Sequence, residues 1–271
     1  MICCRAAVRT LRDLAGVAAL FMSAVPAWAQ TDYYNTDAGR PLQIEDAYPL
    51  ERRAFEVQAA PLRLARSRGG VYEWGIEPEI AFGVAPRTQV EVSAPLAFID
   101  AGDAQTAGLS GLELSALRNL NAETSIPAFA IGAHVLLPVG NLGPDETYAS
   151  VKGIMTRTFT WARFHVNAEY TFGSDRPGAA GAAELSRWMT GVAVDRAFPL
   201  HSLLIGAELF AREPLVNEVD VEWDTAVGLR YQLTTRFNID GGIGRHLTGD
   251  DRAWYLTFGS AYAFGLPWHR R

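Results

Sequence analysis

The sequence predicts an antiparallel transmembrane β-barrel of about twelve strands, and two observations carry this prediction. Residues 219–233 alternate strictly, with mostly apolar odd positions and charged, polar or small even positions. A period of two gives a strand two unlike faces, and Trp223 and Tyr231 bracket the apolar face as in a strand that crosses lipid. After residue 29, no run reaches the roughly 18 apolar residues of a membrane-spanning helix, so a membrane protein made from this chain has to be a barrel.

The first 29 residues have the features of a cleaved secretory signal. Arg5, Arg9 and Arg12 precede an apolar run at 14–25, which is followed by small residues at 27–29 (AWA). A basic part, an apolar part and a small-residue site in this order are typical of such a signal. We therefore expect cleavage after residue 29.

Charge and cysteine content narrow the classes of partner. The formal net charge is −6, and loss of residues 1–29 removes three Arg and one Asp, which changes it to −8. This acidic balance argues against a nucleic-acid partner. Cys3 and Cys4 are the two cysteines and lie in the signal, so we expect no thiol chemistry in the mature chain.

Residues 30–52 precede the predicted barrel and contain Pro, Gly and acidic residues without alternation. Two interpretations stay open for them, a periplasmic lead-in or a partial plug of the barrel. The barrel itself is predicted at 53–264, and residues 265–271 are expected to form a C-terminal periplasmic tail.

Twelve segments have the length and alternation of barrel strands. They are 53–65, 71–84, 88–98, 109–119, 126–139, 148–158, 161–172, 185–197, 202–212, 219–233, 237–247 and 253–264. Most are close to the roughly 9 to 11 residues of a tilted crossing, and bacterial barrels have an even strand number. An even number places both termini on one side of the membrane.

The connections and the aromatic residues predict the orientation. Tight connections, such as 85–87 and 234–236, alternate with mostly longer ones, such as 99–108, 140–147 and 173–184. Short turns are typical of the periplasmic side, so both termini are expected there. Outward aromatics then form two girdles, with Trp74, Phe98, Tyr170, Phe172, Trp188, Trp223 and Trp254 at the outer ends and Phe82, Phe198, Tyr231, Phe237, Tyr262 and Phe264 at the inner ends.

Several short stretches spread over the mature chain form a further pattern. They are 37–42 (DAGRPL), 45–49 (EDAYP), 111–114 (GLEL), 117–118 (LR), 127–128 (PA), 137–140 (LPVG) and 163–167 (RFHVN). Together they resemble the outer-membrane family associated with the meta-pathway of phenol degradation. The resemblance implies a barrel and a transport role.

Charged inward positions are the candidate functional residues. With apolar positions facing lipid, the predicted lumen is lined by Glu73, Glu77, Glu79, Glu91, Glu113, Arg163, His165, Glu169, Arg187, Asp220, Glu222, Asp224, Arg230 and Asp240. An acidic wall would then face a mixed wall that holds most of the arginines. Such groups either form a selectivity lining or pair across the lumen as structural contacts.

Enzyme and metal chemistry have little support in the sequence. No G-x-S-x-G motif is present, and no predicted strand places a Ser and a His on one outward face. The five histidines lie on separate strands or at ends, so we expect no catalytic residue, no metal site and no cofactor. Residues 240–244 (DGGIG) lie in a strand, where small residues suit close packing.

The resulting expectation is a channel or transporter for small compounds, aromatic or hydrophobic ones among them, in the outer membrane of a Gram-negative bacterium. The alternatives are a structural or scaffolding barrel with a closed lumen and, with less support, an interfacial enzyme. The last strand, with Trp254, Phe258, Tyr262 and Phe264 on one face, resembles the C-terminal strand by which such barrels are recognised for assembly. Expected partners are outer-membrane lipid and lipopolysaccharide, the barrel-assembly machinery and an unidentified small solute.

Overall fold

The computed structural model describes residues 36–66, 72–100, 102, 105–174, 185–215, 220–248 and 253–265. Within these ranges the chain forms fourteen β-strands: β1 (Ala54–Arg66), β2 (Tyr72–Ala85), β3 (Thr88–Ser93), β4 (Leu96–Asp100), β5 (Gln105–Leu109), β6 (Leu112–Asn119), β7 (Ala128–Leu137), β8 (Tyr148–Thr158), β9 (Arg163–Phe172), β10 (Ser186–Ala197), β11 (Leu203–Pro214), β12 (Glu222–Thr234), β13 (Phe237–His246) and β14 (Trp254–Gly265). None of the described residues form a helix that is long and apolar enough to cross a membrane. The predicted signal at 1–29 and residues 266–271 of the predicted tail lie outside the described residues.

The fourteen strands build twelve barrel strands, because two of the twelve are interrupted. β3 and β4 both pair with β2, while β6 pairs with β3 and β5 pairs with β4. Pro95 lies at the first interruption and has no N–H to give to the ladder. Gly111 lies at the second with a φ of 145°. The N–H of Ser110 donates to the carbonyl of Pro95 at 2.8 Å, so the two interruptions are adjacent.

The sheet closes on itself. β1 pairs with β2 on one side and with β14 on the other, and Phe55 lies opposite both Phe82 and Phe264. All strand pairs are antiparallel, in chain order around the barrel. Among the described strands, closure pairs every strand on both sides except β5, whose second edge at the loop end accepts hydrogen bonds from Asn141 and Leu142. The predicted twelve-stranded antiparallel barrel is confirmed.

Two kinds of connection distinguish the ends of the barrel. At the turn end, where β1 begins and β14 ends, the connections are 86–87, 120–127, 159–162, 198–202 and 235–236. At the loop end, the chain passes from β1 to β2, from β4 to β5, from β7 to β8, from β9 to β10, from β11 to β12 and from β13 to β14. That the turn end faces the periplasm remains a prediction.

Alternating exposure separates the lipid face from the lumen face. In β12, Val227 is 53% exposed, whereas its neighbour Ala226 is 5% exposed. The exposed side chains also include aromatic rings near the loop end (Trp74, Tyr170, Phe172, Trp223, Trp254) and near the turn end (Phe159, Trp161, Phe198, Tyr231, Tyr262). An apolar exterior with aromatic rings towards both ends suits a bilayer.

Two strand bounds differ from the prediction. The connection expected at 99–108 is mostly strand, since β4 extends to Asp100 and β5 begins at Gln105. Residues 105–109 (QTAGL) have little intrinsic β-propensity, and their pairing with β4 outweighs it. β12 begins at Glu222 instead of residue 219, because its pairing with β11 ends where Glu222 lies opposite Arg212. Asp220 is therefore an exposed residue of the loop-end connection.

Candidate functional site in the barrel lumen

Residues 36–50, which we name the plug segment, lie inside the barrel. Six of their side chains are at most 3% exposed, namely Thr36, Arg40, Leu42, Ile44, Asp46 and Ala47. The segment contacts inward residues of β3 and of most strands from β6 to β14. Residues 36–50 therefore lie in the lumen, while residues 30–35 lie outside the described residues, and the two interpretations of 30–52 stay predictions.

Arg40 fixes the plug segment to β12 and β13. Its Nε donates to Asp240 Oδ2 at 3.1 Å, and its Nη2 donates to Asn238 Oδ1 at 3.3 Å. Arg230 Nη2 donates to the Arg40 carbonyl at 2.7 Å and to Asp37 Oδ2 at 3.2 Å. Removing one partner of such a buried charge pair typically costs about 3–5 kcal/mol. The two arginines and Asp240 thus act as one anchor.

Polar side chains of the wall bind the backbone of the plug segment. The N–H groups of Ile44, Glu45 and Ala47 donate to Glu208 Oε2 at 2.8 Å, Asn167 Oδ1 at 3.0 Å and Thr156 Oγ1 at 2.9 Å. In the opposite direction, the Nδ2 atoms of Asn167 and Asn119 donate to the carbonyls of Glu45 and Ala47 at 2.9 and 2.8 Å. The buried backbone N–H and C=O groups of this segment need such partners because the segment does not pair with a β-strand.

Two basic side chains join acidic groups of the plug segment to acidic groups of the wall. Lys152 Nζ lies 2.7 Å from Glu45 Oε1 and 3.3 Å from Glu169 Oε2. Arg163 makes a bidentate pair with Asp195, at 2.9 and 2.8 Å, and lies 3.5 Å from Asp46 Oδ2. Each basic group therefore balances two carboxylates, one of which is in the plug segment.

Glycines of the wall make room for the plug segment. Gly206, Gly228 and Gly242 lie side by side on β11, β12 and β13. A Cβ on Gly228 would lie 2.7 Å from Pro41 Cβ, and one on Gly206 would lie 2.7 Å from Leu42 Cδ1. This row, the glycine groove, is a depression in the inner wall that is filled by the side chains of Pro41 and Leu42 and, at Gly242, by the Pro41 carbonyl.

Apolar side chains also hold the plug segment in place, and they show which residues of β8 face the lumen. Ala47 packs with Leu117, Ala128, Ala130 and Ile154 in a buried cluster. Ile154 therefore faces inward together with Lys152 and Thr156, although it is apolar. An apolar inward residue hides the alternation of β8 in the sequence, and for this reason Lys152 and Thr156 were not among the predicted lumen residues.

Thr156, His165 and Asp195 have the spacing of a nucleophile, a base and an acid. Thr156 Oγ1 lies 3.0 Å from His165 Nδ1, and His165 Nε2 lies 2.9 Å from Asp195 Oδ2. Thr156 is fully buried, however, and its hydroxyl accepts the N–H of Ala47. The group is thus occupied in holding the plug segment, which covers the hydroxyl that a substrate would have to reach.

Tyr48 and Leu50 hold the plug segment where it approaches the turn end. Tyr48 Oη donates to Glu123 Oε2 at 2.9 Å, and the N–H of Leu50 donates to Gln89 Oε1. Glu123 also accepts the N–H and the hydroxyl of Thr158, at 2.6 and 2.8 Å. Burial alone would raise the pKa of Glu123, but these hydrogen bonds outweigh it and hold the pKa below its usual value.

On the loop-end side of the plug segment lies a cavity of about 380 Å³, which we name the chamber. Five of the predicted carboxylates, Glu73, Glu77, Glu79, Glu91 and Glu113, line one side of it and form the acidic wall. The rest of its lining is partly apolar, with Met189, Phe210 and Tyr255. Lys152, Arg63 and Arg212 bring positive charge to the same space.

A smaller cavity of about 20 Å³ lies between the plug segment and β1–β3. Asp37, Gln58 and Glu91 line both this cavity and the chamber, while Tyr48 and Leu50 line its side towards the turn end. The volume is close to that needed for one water molecule. Within the described residues, the two cavities thus adjoin beside β1 and β3.

The remaining predicted residues lie against the plug segment, beside the chamber or nearer the loop end. Arg163, His165, Arg230 and Asp240 lie beneath the plug segment, while Glu169 borders the chamber beside Lys152. Nearer the loop end, Arg212 lies 3.0 Å from Glu222 and 3.3 Å from Asp224, which also pairs with His246. Arg187 donates to the Thr171 carbonyl at 2.8 Å. Many lumen charges are therefore paired, whereas the acidic wall holds an excess of carboxylates.

The docking residues outside the predicted set are mainly amides, hydroxyls and plug residues. Arg40, Asp46, Asn119, Thr156, Asn167 and Asn238 belong to this group. Inward polar residues in alternation signal a lumen, but nothing local in the sequence indicates that they bind a backbone.

Solved structures of outer-membrane barrels are similar to this chain. An outer-membrane channel from Pseudomonas putida F1 matches 84% of this chain and 100% of its own, with a TM-score of 0.54 and 14% identity. The NanC porin matches 76% of this chain and 98% of its own, with a TM-score of 0.52 and 8% identity. The KdgM porin matches 79% of this chain and 99% of its own, with a TM-score of 0.50 and 13% identity. No family model and no curated protein matches the sequence. At these identities the likeness shows the fold, which together with the apolar exterior is that of an outer-membrane β-barrel.

Proposed function

We propose that the chain is an outer-membrane channel for small solutes, which pass between the plug segment and β1–β3. The observation that carries this proposal is the chain of two cavities that share Asp37, Gln58 and Glu91. Most strands from β6 to β14 contact the plug segment, whereas on the β1–β3 side the hydrogen bond described for it is the one from the Leu50 N–H to Gln89. The acidic wall is the side to which it is least attached, so a solute has to displace the fewest contacts there.

The lining of the chamber suggests the kind of solute. Its lining combines the carboxylates of the acidic wall with apolar groups, among them Met189, Phe210 and Tyr255. Sites for small molecules commonly combine an apolar surface with a few polar groups. A small compound with an aromatic or hydrophobic body fits this lining, and the resemblance to the phenol-degradation family supports the same class.

Ion selectivity tests the route. Carboxylates in a confined lumen repel anions at short range, so the acidic wall should favour cations. We expect planar-bilayer recordings to give a potassium-to-chloride permeability ratio above one, and the combined change of Glu73, Glu77, Glu79 and Glu91 to Gln should lower it. The matched control removes four carboxylates at the loop end, Asp100, Asp145, Glu146 and Glu213, and should change the ratio less.

A closed structural barrel is the second candidate, and the anchoring of the plug segment favours it. Arg40, Lys152 and Arg163 are buried or nearly so and all hold the segment in place. If this candidate is correct, the folded protein will not conduct and a deletion strain will show no uptake defect. A conductance whose potassium-to-chloride permeability ratio is the same after the four Glu changes would support a channel but contradict the route along β1–β3.

A further inference from the structure

The turn end of the barrel is basic on its outside. Among the described residues it has seven arginines at its turns or last strand positions, namely Arg52, Arg53, Arg87, Arg118, Arg157, Arg196 and Arg236. The carboxylates at the same end are Glu51 and Glu123. The loop end has the opposite character, with Asp100, Asp145, Glu146, Glu213 and Asp220. The chain as a whole is acidic, so this rim is a local concentration of positive charge.

Three of these arginines lie on the lipid-facing wall. Arg118, Arg157 and Arg196 are the last outward residues of β6, β8 and β10. Their neighbours in the strands, Leu117 and Thr156 among them, are buried inside the barrel, which fixes the direction of the arginines. With one strand between successive members, their backbones are spaced by roughly 10 Å around the barrel.

Aromatic rings lie among the three arginines. Arg157 lies opposite Phe164 of β9, and the turn between β8 and β9 carries Phe159 and Trp161, both exposed. The ring centroids of Trp161 and Phe164 are 5.3 Å apart. The guanidinium of Arg157 lies 5.8 Å from the Phe159 centroid. Aromatic rings of this kind mark the depth of the lipid headgroups.

The guanidinium groups keep donors for a ligand. The guanidinium of Arg196 lies over the Phe198 ring, 5.3 Å from its centroid. Arg118 Nη1 donates to Thr88 Oγ1 at 3.0 Å. Arg157 Nη1 donates to the Thr124 carbonyl at 2.7 Å and lies 3.7 Å from Glu123 Oε1. Each group has five N–H donors, so several remain in all three cases.

We propose that Arg118, Arg157 and Arg196, with Trp161 and Phe164 between them, bind the phosphate groups of anionic phospholipids in the leaflet at the turn end. A guanidinium binds phosphate with two parallel hydrogen bonds, and the rings pack against the adjoining glycerol and acyl chains. A phospholipid is the partner that fits, because the outward direction places the three charges at the edge of the bilayer. On the predicted orientation this leaflet faces the periplasm and consists of phospholipid.

Electron spin resonance of spin-labelled lipids tests the proposal on the folded barrel in phosphatidylcholine bilayers. We expect labelled phosphatidylglycerol to associate with the protein more strongly than labelled phosphatidylcholine. Each arginine near an anionic surface contributes roughly five-fold to such binding at the site. The triple variant Arg118→Gln, Arg157→Gln, Arg196→Gln should bring the ratio of the two association constants close to one. Replacement of all three by Lys should give an intermediate ratio, since Lys keeps the charge but not the paired hydrogen bonds.

The matched control removes the same charge from the tips of the turns. Arg52→Gln, Arg87→Gln and Arg236→Gln together should leave the preference for phosphatidylglycerol near that of the unchanged protein. Arg196→Gln alone should lower it in part, and this variant loses none of the hydrogen bonds described for the rim. An unchanged ratio in the triple variant, an equal loss in the control, or stronger binding of lipopolysaccharide than of phosphatidylglycerol by the unchanged protein would overturn the proposal.

Discussion

Replacement of Gly228 by Ala should release the plug segment while the barrel stays folded. The added Cβ would lie 2.7 Å from both Cβ and Cγ of Pro41, well inside the ordinary contact range of 3.4–4 Å. Gly228 belongs to a strand paired on both sides, with Gly206 and Gly242 opposite it. Because β12 cannot retreat without breaking this pairing, the plug segment has to move.

The size of the effect follows from the overlap. Overpacking by one methyl group typically costs about 1–3 kcal/mol, and each 1.4 kcal/mol is a factor of about ten in an equilibrium. The undocked population should therefore rise by roughly 5- to 150-fold. Hydrogen–deuterium exchange at the amides of Ile44 and Ala47 measures it, since these N–H groups donate to Glu208 and Thr156 in the docked state.

Gly153 offers a control on the outer face. A Cβ there would have its nearest heavy atom, the Ala168 carbonyl oxygen, at 4.0 Å, so Gly153→Ala should leave exchange in the plug segment unchanged. Heat-modifiable gel migration establishes that each variant is folded. If Ile44 and Ala47 exchange at the native rate in folded Gly228→Ala, the steric reasoning for the glycine groove is wrong.

Three further predictions concern the two faces of the wall and the anchors of the plug segment. Ile131→Arg, on the lipid face, should lower the free energy of folding into vesicles, measured by urea titration, by about 2–4 kcal/mol. Gly132→Arg should lower it less, because Gly132 borders the chamber and a Cβ added there would have its nearest neighbours at 3.6 Å. Equal losses would contradict the assignment of Ile131 to the lipid face and of Gly132 to the lumen face. Lys152→Met leaves two carboxylates facing each other and should speed exchange in the plug segment by at least ten-fold, because breaking a buried pair costs about 3–5 kcal/mol. The Tyr48–Glu123 contact should slow amide exchange in the plug segment above the ordinary Glu pKa of 4.5 and fail as the pH falls through the lowered pKa of Glu123, because protonation removes the acceptor. Tyr48→Phe should weaken this pH dependence, to which other carboxylate contacts such as Ile44–Glu208 also contribute; an unchanged dependence in the variant would exclude the Tyr48–Glu123 contact as one of its sources.

Much of the barrel could be predicted because its information is local. Strand β8 was predicted with its observed bounds, Tyr148–Thr158, and most other bounds differ by three residues or fewer. The prediction is less good at 99–108, where β4 extends to Asp100 and the small residues of 105–109 conceal β5. The sequence also does not determine the inward direction of Ile154, because its apolar side chain fits either face until its contact with Ala47 is known.

Of the candidate site, only the lumen-facing residues of the barrel wall could be predicted from the sequence. Alternation placed Glu73, Glu77, Glu79 and Glu91 in the lumen, and the structure puts them together around the chamber. It did not indicate that Arg230 and Asp240 serve a segment near the N-terminus. The partners are too distant in sequence for any pattern to join them, as Arg40 and Asp240 are 200 residues apart.

The sequence by itself therefore determined the closed antiparallel barrel and its two faces, because a strand sets the direction of each side chain through its immediate neighbours. Only the tertiary structure decided that residues 36–50 lie in the lumen. The glycine groove exists because the register of β11, β12 and β13 brings Gly206, Gly228 and Gly242 into one row. Register between strands depends on the whole closed sheet, and the space in which the plug segment lies appears only once that sheet has closed.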